Sequence, residues 1–425
     1  DTSLEPKHSL TWMPKCTNCH QHHNSFEFEE GDLPPGEFVG ADKCGVCHTD
    51  KHEEWGGTLH EEAWDTLNNI GFGGNPACLP CHTVGFGQDS GYVNQGTTPH
   101  LADVQCENCH GPGSDHVNRA TKSRITVDKA AALCGTCHTD SHHPTYDEWG
   151  TSRHAISQAN GHSSSCYVCH VPLGTQGDPP VYLSVECVAC HDPHEQTGNA
   201  YAPEEGRDYQ LKWDETAYPE PTDDLTANQD PNRFNLCGHC HHNRSTTWKT
   251  TTRPPHHSGQ ANFYIGEMPL PVDDPTRLVE FTDSIHESVP VQCVTCHKYE
   301  KGYESEEDPA ITGHTFALSF EGCSGSGCHA TPHDAETRFE DLEAEMQAGL
   351  LDVYTRLGPP SEWEYSANGG PPEGAQGQGL IIPEIKKIRF LYYYVLNDSS
   401  YGAHNPGYAR AILVKADELL DSIGK

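Results

Sequence analysis

This chain has little from which to build an ordinary hydrophobic core. Hydrophobic residues make up 34% of its 425 positions. With Gly counted in place of Tyr the apolar share is about 40%, below the usual 45–50%. Methionine is almost missing, at 3 residues. The longest apolar stretch, Phe390-Leu-Tyr-Tyr-Tyr-Val-Leu396, falls far short of the roughly 18 residues that a bilayer span needs, so no membrane-crossing helix is expected. Positive charge is scarce as well: 26 Lys and Arg stand against 62 Asp and Glu, a formal charge of −36. That balance excludes a nucleic-acid partner, whose phosphates call for Lys and Arg, and disfavours an anionic lipid surface. It favours solubility, cationic partners, and metal ions or mineral oxides. The chain opens on Asp1 rather than Met, which reads as a mature end left by cleavage of a leader.

What is present is cysteine, and always in one setting. Cys-x-x-Cys-His occurs nine times: Cys16, Cys19 and His20; Cys44, Cys47 and His48; Cys78, Cys81 and His82; Cys106, Cys109 and His110; Cys134, Cys137 and His138; Cys166, Cys169 and His170; Cys187, Cys190 and His191; Cys237, Cys240 and His241; Cys293, Cys296 and His297. A tenth site, Cys323, Cys328 and His329, is widened by two residues, and the ten together use all 20 cysteines. Each is a c-type haem attachment signal. Two thiols form thioethers to the haem vinyls, and the adjacent His reaches the iron from the same side. Zinc knuckles, thioredoxin-like motifs and disulfide frameworks also pair cysteines, but none of them asks for the His. His is 30 of 425 residues, yet it follows the second cysteine at every site. At the widened site, Gly325, Ser326 and Gly327 could also belong to a plain loop.

Ten covalent c-type haems are therefore expected, one per about 43 residues, with porphyrin faces supplying the apolar surface that the side chains lack. With 40 Gly and 31 Pro, the expected fold is mostly irregular, with short α-helices wrapped around a stacked chain of ten c-type haems, a helical C-terminal segment and little β structure. Motif spacing divides the chain into residues 1–37 with one haem, 38–200 with six, 201–334 with three among acidic Pro-rich loops such as Tyr218-Pro-Glu-Pro-Thr-Asp-Asp224, and a haem-free segment 335–425. That last segment shows helical patterns near 335–357, 383–396 and 406–422, separated by a Gly- and Pro-rich loop at 365–379, and should pack over an otherwise exposed haem face. Because haem joins this motif outside the cytoplasmic membrane, the protein should be extracellular or at the cell surface, with the periplasm as the alternative.

Low-spin electron-transfer haems take a second protein ligand, His or Met. With ten histidines bound to motifs, twenty remain, enough for a second His at every iron. An internal repeat points to two of them. Cys44-Gly-Val-Cys-His-Thr-Asp50 is followed by Glu54-Trp-Gly-Gly-Thr-Leu-His60, and Cys134-Gly-Thr-Cys-His-Thr-Asp140 by Glu148-Trp-Gly-Thr-Ser-Arg-His154. In both, a His stands five residues after the Trp. His194 and His333 lie three and four residues beyond a motif His, too close to ligate the far face of the same iron, and better placed to serve an adjacent one. The bland alternative for any such His is a surface or propionate contact.

The order Phe38-Val-Gly-Ala-Asp-Lys-Cys44, Glu54-Trp-Gly to His60, Cys78-Leu-Pro-Cys-His-Thr-Val-Gly-Phe86 and Cys106-Glu-Asn-Cys-His-Gly-Pro-Gly-Ser-Asp-His116 resembles the tetrahaem cytochromes that accept electrons from hydroxylamine oxidoreductase, over residues 38–160. That resemblance implies His60 and His116 as distal ligands of neighbouring haems. It also implies a five-coordinate haem at the site of His82, a position that His100 could fill. The rest resembles long extracellular and periplasmic multihaem cytochromes, including filament-type ones. Pro255-His-His-Ser-Gly-Gln260, Ser284-Ile-His286, Gly313-His-Thr-Phe316 and Gly402-Ala-His-Asn-Pro-Gly-Tyr408 imply His257, His286, His314 and His404 as further distal ligands. His8, His100 and His162 compete for the tenth place, which we give to His8.

The function expected is electron transfer by hopping along closely packed bis-His haems, in extracellular electron transfer and as a polymeric filament, not as an enzyme. Partners would be other redox proteins, acceptors such as metal oxides, or copies of the chain joined head to tail through the isolated Cys16–His20 site. The alternative is an oxidoreductase acting on a small nitrogen or sulfur compound at one open haem. Nitrite reductases of this kind often carry Cys-x-x-Cys-Lys at the catalytic haem, and no such site occurs here.

Overall fold

The computed structural model describes residues 33–160, 164–197, 208–212, 235–242, 246–267, 278–280, 284–289, 293–325, 327–365 and 377–425. The site at Cys16, Cys19 and His20, together with His8 and His162, lies outside them, as does the acidic loop at 218–224. The described residues form two compact units: 33–138 with 175–197 and 208–211, and 139–174 with 212 and 235–425.

In the first unit the elements are short helices, beside one antiparallel pair of two-residue strands, β1 (Thr175–Gln176) and β2 (Val181–Tyr182). Its largest apolar cluster is small: Leu79, Val84, Tyr92, Leu101 and Ala102, with Phe38, Trp64 and Phe86 against it. Buried polar side chains hold much of the backbone instead. Glu107, 3% exposed, accepts hydrogen bonds from the backbone N–H of Val39 (3.0 Å), Gly40 (2.8 Å) and Gly113 (2.6 Å). Gln105 accepts from Ala41 N–H (2.6 Å) and donates to the carbonyls of His100 and Ala102. Glu186 does the same for Ala131 N–H (2.8 Å) and Ser184 N–H (3.0 Å). A buried N–H needs a partner, and in irregular chain these side chains provide it. Gly40 takes φ +80, where an added Cβ would come within 2.9 Å of the His100 carbonyl, so the clamp closes only around Gly.

The second unit contains the chain's conventional core. Three helices follow the expected pattern: α1 (Pro332–Leu357), α2 (Pro383–Asp398) and α3 (Pro406–Ser422). All begin with Pro at the first helical position, which fits because its missing N–H has no helical partner there. Thr331 caps α1 and Asn405 caps α3 by accepting from Asp334 N–H (3.0 Å) and Tyr408 N–H (3.1 Å). Gly358 at φ +87 ends α1, and Ser399 at φ +61 ends α2. The buried face of α1, namely Ala335, Leu342, Met346, Leu350, Val353 and Leu357, recurs at helical spacing. It packs with Ile388, Phe390 and Leu391 of α2, Tyr408, Ile412 and Leu420 of α3, and Phe263 and Trp363. The tail thus has a core of its own, which whole-chain composition understates. Arg389, fully buried, donates to the carbonyls of Trp363 (2.8 Å) and Glu364 (3.0 Å) and lies 3.9 Å over the Tyr365 ring. Among the described residues no helix is long and apolar enough to cross a membrane.

Candidate haem centres

Every described motif lies on or at the edge of a helix of four to six residues, among them Leu79–His82, Cys106–His110, Tyr167–His170, Cys187–Cys190 and Cys293–His297. Their local geometry repeats. The N–H of the motif His donates to the carbonyl of the first cysteine in Cys44–His48 (2.9 Å), Cys134–His138 (2.9 Å), Cys166–His170 (3.0 Å), Cys187–His191 (2.9 Å) and Cys237–His241 (2.9 Å). One helical turn brings positions i, i+3 and i+4 onto one face. Both thiols and the imidazole of a motif therefore present to the same side, as attachment of one porphyrin requires.

Opposite the motif histidines stand others. Ring centroids are 6.2 Å apart for His48 and His116, 6.1 Å for His60 and His138, 6.2 Å for His110 and His194, and 6.2 Å for His154 and His241. They are 6.5 Å apart for His170 and His257, 6.5 Å for His286 and His329, and 6.3 Å for His297 and His404. Each pair joins one motif His with one non-motif His. The separation is too wide for ring contact. Two metal–imidazole bonds of about 2.0 Å in line would hold the ring nitrogens about 4 Å apart and the centroids about 6 Å apart. The residues present therefore fit haem iron, including the widened site, whose His329 faces His286.

The rings are oriented through their other nitrogen. Nδ1 donates to a backbone carbonyl in His82 (Ala63, 2.9 Å), His110 (Thr126, 2.6 Å), His116 (Thr121, 3.0 Å), His191 (Tyr209, 2.7 Å), His286 (Ala403, 2.8 Å) and His297 (Phe316, 3.0 Å). His241 instead uses the side-chain oxygen of Gln260 (3.2 Å), and His404 the carboxylate of Asp398 (2.8 Å). A proton fixed on Nδ1 leaves the Nε2 lone pair for metal. Burial favours the neutral form of several rings: it lowers His60, His194, His241 and His286, and carries His154 and His297 down to about 4, helped by His241 and His404 respectively. Burial also lowers His404, but the Asp398 carboxylate outweighs it and the net shift is upward.

The structure brings seven of the sequence-derived distal histidines, His60, His116, His154, His194, His257, His286 and His404, opposite a motif His. Two others are placed differently. His333 projects from the first turn of α1 with its side chain 87% exposed, 3.7 Å from Glu336; the Thr331 cap and Pro332 set that turn outward. His314 has the Lys298 ammonium 3.0 Å from Nδ1 and 3.2 Å from Nε2, and its backbone N–H donates to Glu148 (2.7 Å). The Thr312 hydroxyl also lies 3.0 Å from Nδ1, and the ring stands edge-on to Phe316. His100 is exposed beside Gly40 and faces no motif His among the described residues. Sequence reasoning missed the roles of Asp398 and Gln260, and missed His256, which stacks on His257 at 4.2 Å. An Asp six residues before a His carries no recognisable signal.

Thiols of different motifs also touch. Cys44 lies beside Cys106 and Cys134 beside Cys187 in the first unit; Cys237 lies beside Cys293 and Cys296 beside Cys323 in the second.

Residues 43–111 match the family described as cytochrome c554 and c-prime. The chain is 32% identical over 108 residues to cytochrome c-554 of Nitrosomonas europaea, covering 22% of this chain and 46% of that one. It is 26% identical over 196 residues to the multiheme cytochrome MtrA of Shewanella baltica, covering 40% and 49%. The chain thus spans about half the length of the curated relatives it matches. Among solved structures, the outer cell wall cytochrome OcwA superposes with a TM-score of 0.60 at 16% identity, over 90% of this chain and 99% of that one. The undecaheme cytochrome from the S-layer of Carboxydothermus ferrireducens gives 0.61 at 17% identity, over 93% and 71%.

Proposed function

We propose that this chain is a multihaem c-type cytochrome, in line with the proteins it resembles, and a ten-haem electron relay in which every iron would be held between two histidines. The observation that supports this most is the set of His–His pairs, each one motif and one non-motif ring at 6.1–6.5 Å. Haem, when bound, supplies the iron that changes between ferric and ferrous states. The residues do the rest. An iron held by two imidazoles would have no coordination position left for a substrate, which favours a carrier over an enzyme. Where they are made, the Nδ1 hydrogen bonds would hold these rings in place in either oxidation state, so that little has to move with each electron. Touching thiols of separate motifs would set neighbouring haems close enough for short hops. The acidic surface stabilises the ferric state and disposes the protein toward cationic partners or metal oxides.

We place the relay outside the cell or at its surface, in line with the outer-cell-wall and S-layer names of the structures it resembles. The reading extends to head-to-tail assembly through the N-terminal site, with His8 completing an iron of the next copy. Filaments that shorten or vanish on His8→Ala support that extension. A monodisperse monomer across protein concentration and salt removes it and leaves the relay standing.

Intact mass of the mature chain should show ten covalent haems, one of them on Cys323 and Cys328. A mass for nine would take the widened site out of the relay. His154→Ala should turn one low-spin ferric iron high-spin, because that ring faces His241. An unchanged spectrum would break the link between the ring pairs and ligation.

A further inference from the structure

The ring pairs share a geometry but not their partners at the far nitrogen. His404 is set apart among the described rings that face a motif histidine. Its Nδ1 lies 2.8 Å from a carboxylate oxygen of Asp398, whose side chain is 1% exposed. Of the other facing rings, His116 and His286 donate to backbone carbonyls, and the motif ring His241 donates to the neutral amide of Gln260 at 3.2 Å. His194 approaches Asp192 at 3.4 Å, but there both side chains are open to water, at 43% and 25% exposure. The second oxygen of Asp398 accepts from the Ser400 hydroxyl. Asp398 ends α2 and His404 precedes the cap of α3, so two well-packed helices fix the contact.

We infer that Asp398 is a positioning residue that makes the haem at Cys293 and Cys296 the lowest-potential haem of the second unit. This rests on the relay reading, in which His404 and His297 are the axial ligands of that iron. A hydrogen bond to a charged acceptor is roughly twice as strong as one to a neutral acceptor, and in a dry site the charge is poorly screened. The carboxylate pulls the Nδ1 proton and gives the imidazole partial imidazolate character. A more electron-rich ligand stabilises ferric over ferrous iron, as second-shell carboxylates do for other metal-bound histidines. The placement has a consequence for the relay. Cys293 touches Cys237 and Cys296 touches Cys323, so this haem would stand between the sites of His241 and His329. Electrons would rest on its neighbours and cross it uphill.

The test is a spectroscopically monitored redox titration of the haem-loaded full chain and three variants. Asp398→Asn keeps an acceptor but removes its charge. It should raise one haem's potential by at least the equivalent of a tenfold change in its ferric-to-ferrous equilibrium, about 59 mV for a one-electron couple. Asp398→Glu should restore most of the wild-type value. Ser400→Ala frees the carboxylate of its competing donor and should move the same haem in the opposite direction, downward. A fully loaded Asp398→Asn chain with no haem moved tenfold overturns the inference, as does a Ser400→Ala shift upward. If Asp398→Asn fails to retain haem, the sign of the Ser400→Ala shift decides. The relay reading is judged separately, by whether the same wild-type sample holds a high-spin iron.

Discussion

The two units solve one problem in different ways. Both must hold motif helices of a single turn, which have almost no stability of their own. The second unit sets some of its ligands on real helices: His404 stands in the short link between α2 and α3, whose inner faces are apolar and buried. Among the described residues the first unit has no such helices. It ties irregular backbone to its motifs through buried polar side chains that belong to the motifs or flank them, namely Gln105, Glu107 and Glu186. Where apolar side chains are few, the porphyrins are left to supply the dry surface against which those hydrogen bonds become strong. The first unit should therefore depend on haem for its fold, and the α1–α3 bundle much less.

Removing attachment should separate the units most. Cys106→Ser with Cys109→Ser should leave the first unit open to limited proteolysis while a fragment spanning α1 to α3 survives; equal digestion of both would erase the distinction. Next in size, Glu107→Ala leaves two buried N–H groups and one half-buried one without their acceptor and should cost about 3–6 kcal/mol in the first unit. Leu391→Ala, a cavity in the bundle, should cost about 2–5 kcal/mol and leave the haem spectrum of the first unit unchanged. Chemical denaturation followed by haem absorbance and by tryptophan emission reads both. A Glu107→Ala chain as stable as wild type would show that the clamp is ornamental.

The smallest effect concerns pH. Burial raises the Asp103 carboxyl to about 6, although Trp64 N–H donates to it at 2.7 Å. Its value in the unfolded chain is about 4, so the folded state holds the proton more tightly. Asp103 therefore contributes stability that is complete below pH about 4 and is lost as pH climbs through about 6. Asp103→Asn, which suits the left-handed φ of 68 at this position, should flatten that slope in the first unit. A wild-type stability that rises between pH 4 and 7 by the amount Asp103→Asn removes would reverse the sign.

Much of this was legible in the chain. The motifs point to their own cofactor, the Trp-to-His repeat singled out His60 and His154, which face His138 and His241, and Pro, Gly and apolar spacing delimited α1, α2 and α3 nearly to the residue. What was not legible is orientation. Spacing nominated His333 and His314 as readily as His194, but only the fold shows that a helix cap turns His333 outward and that His314 lies beside Lys298 and Thr312. Composition averaged over the chain hid a bundle core concentrated after residue 332. It also gave no reason to see Glu107, in a class of residue that is nearly always exposed, as a buried clamp. The partners of Nδ1 were invisible for a simpler reason: most are backbone carbonyls, which every residue has.

The most direct test is the spin state of the fully loaded ferric chain, read by electron paramagnetic resonance and quantified against its covalent haem content. A relay built on two histidines per iron predicts low-spin ferric iron throughout, with negligible carbon monoxide binding after reduction. A high-spin signal equal to one haem in the chain would contradict it and move the protein toward an oxidoreductase with an open iron.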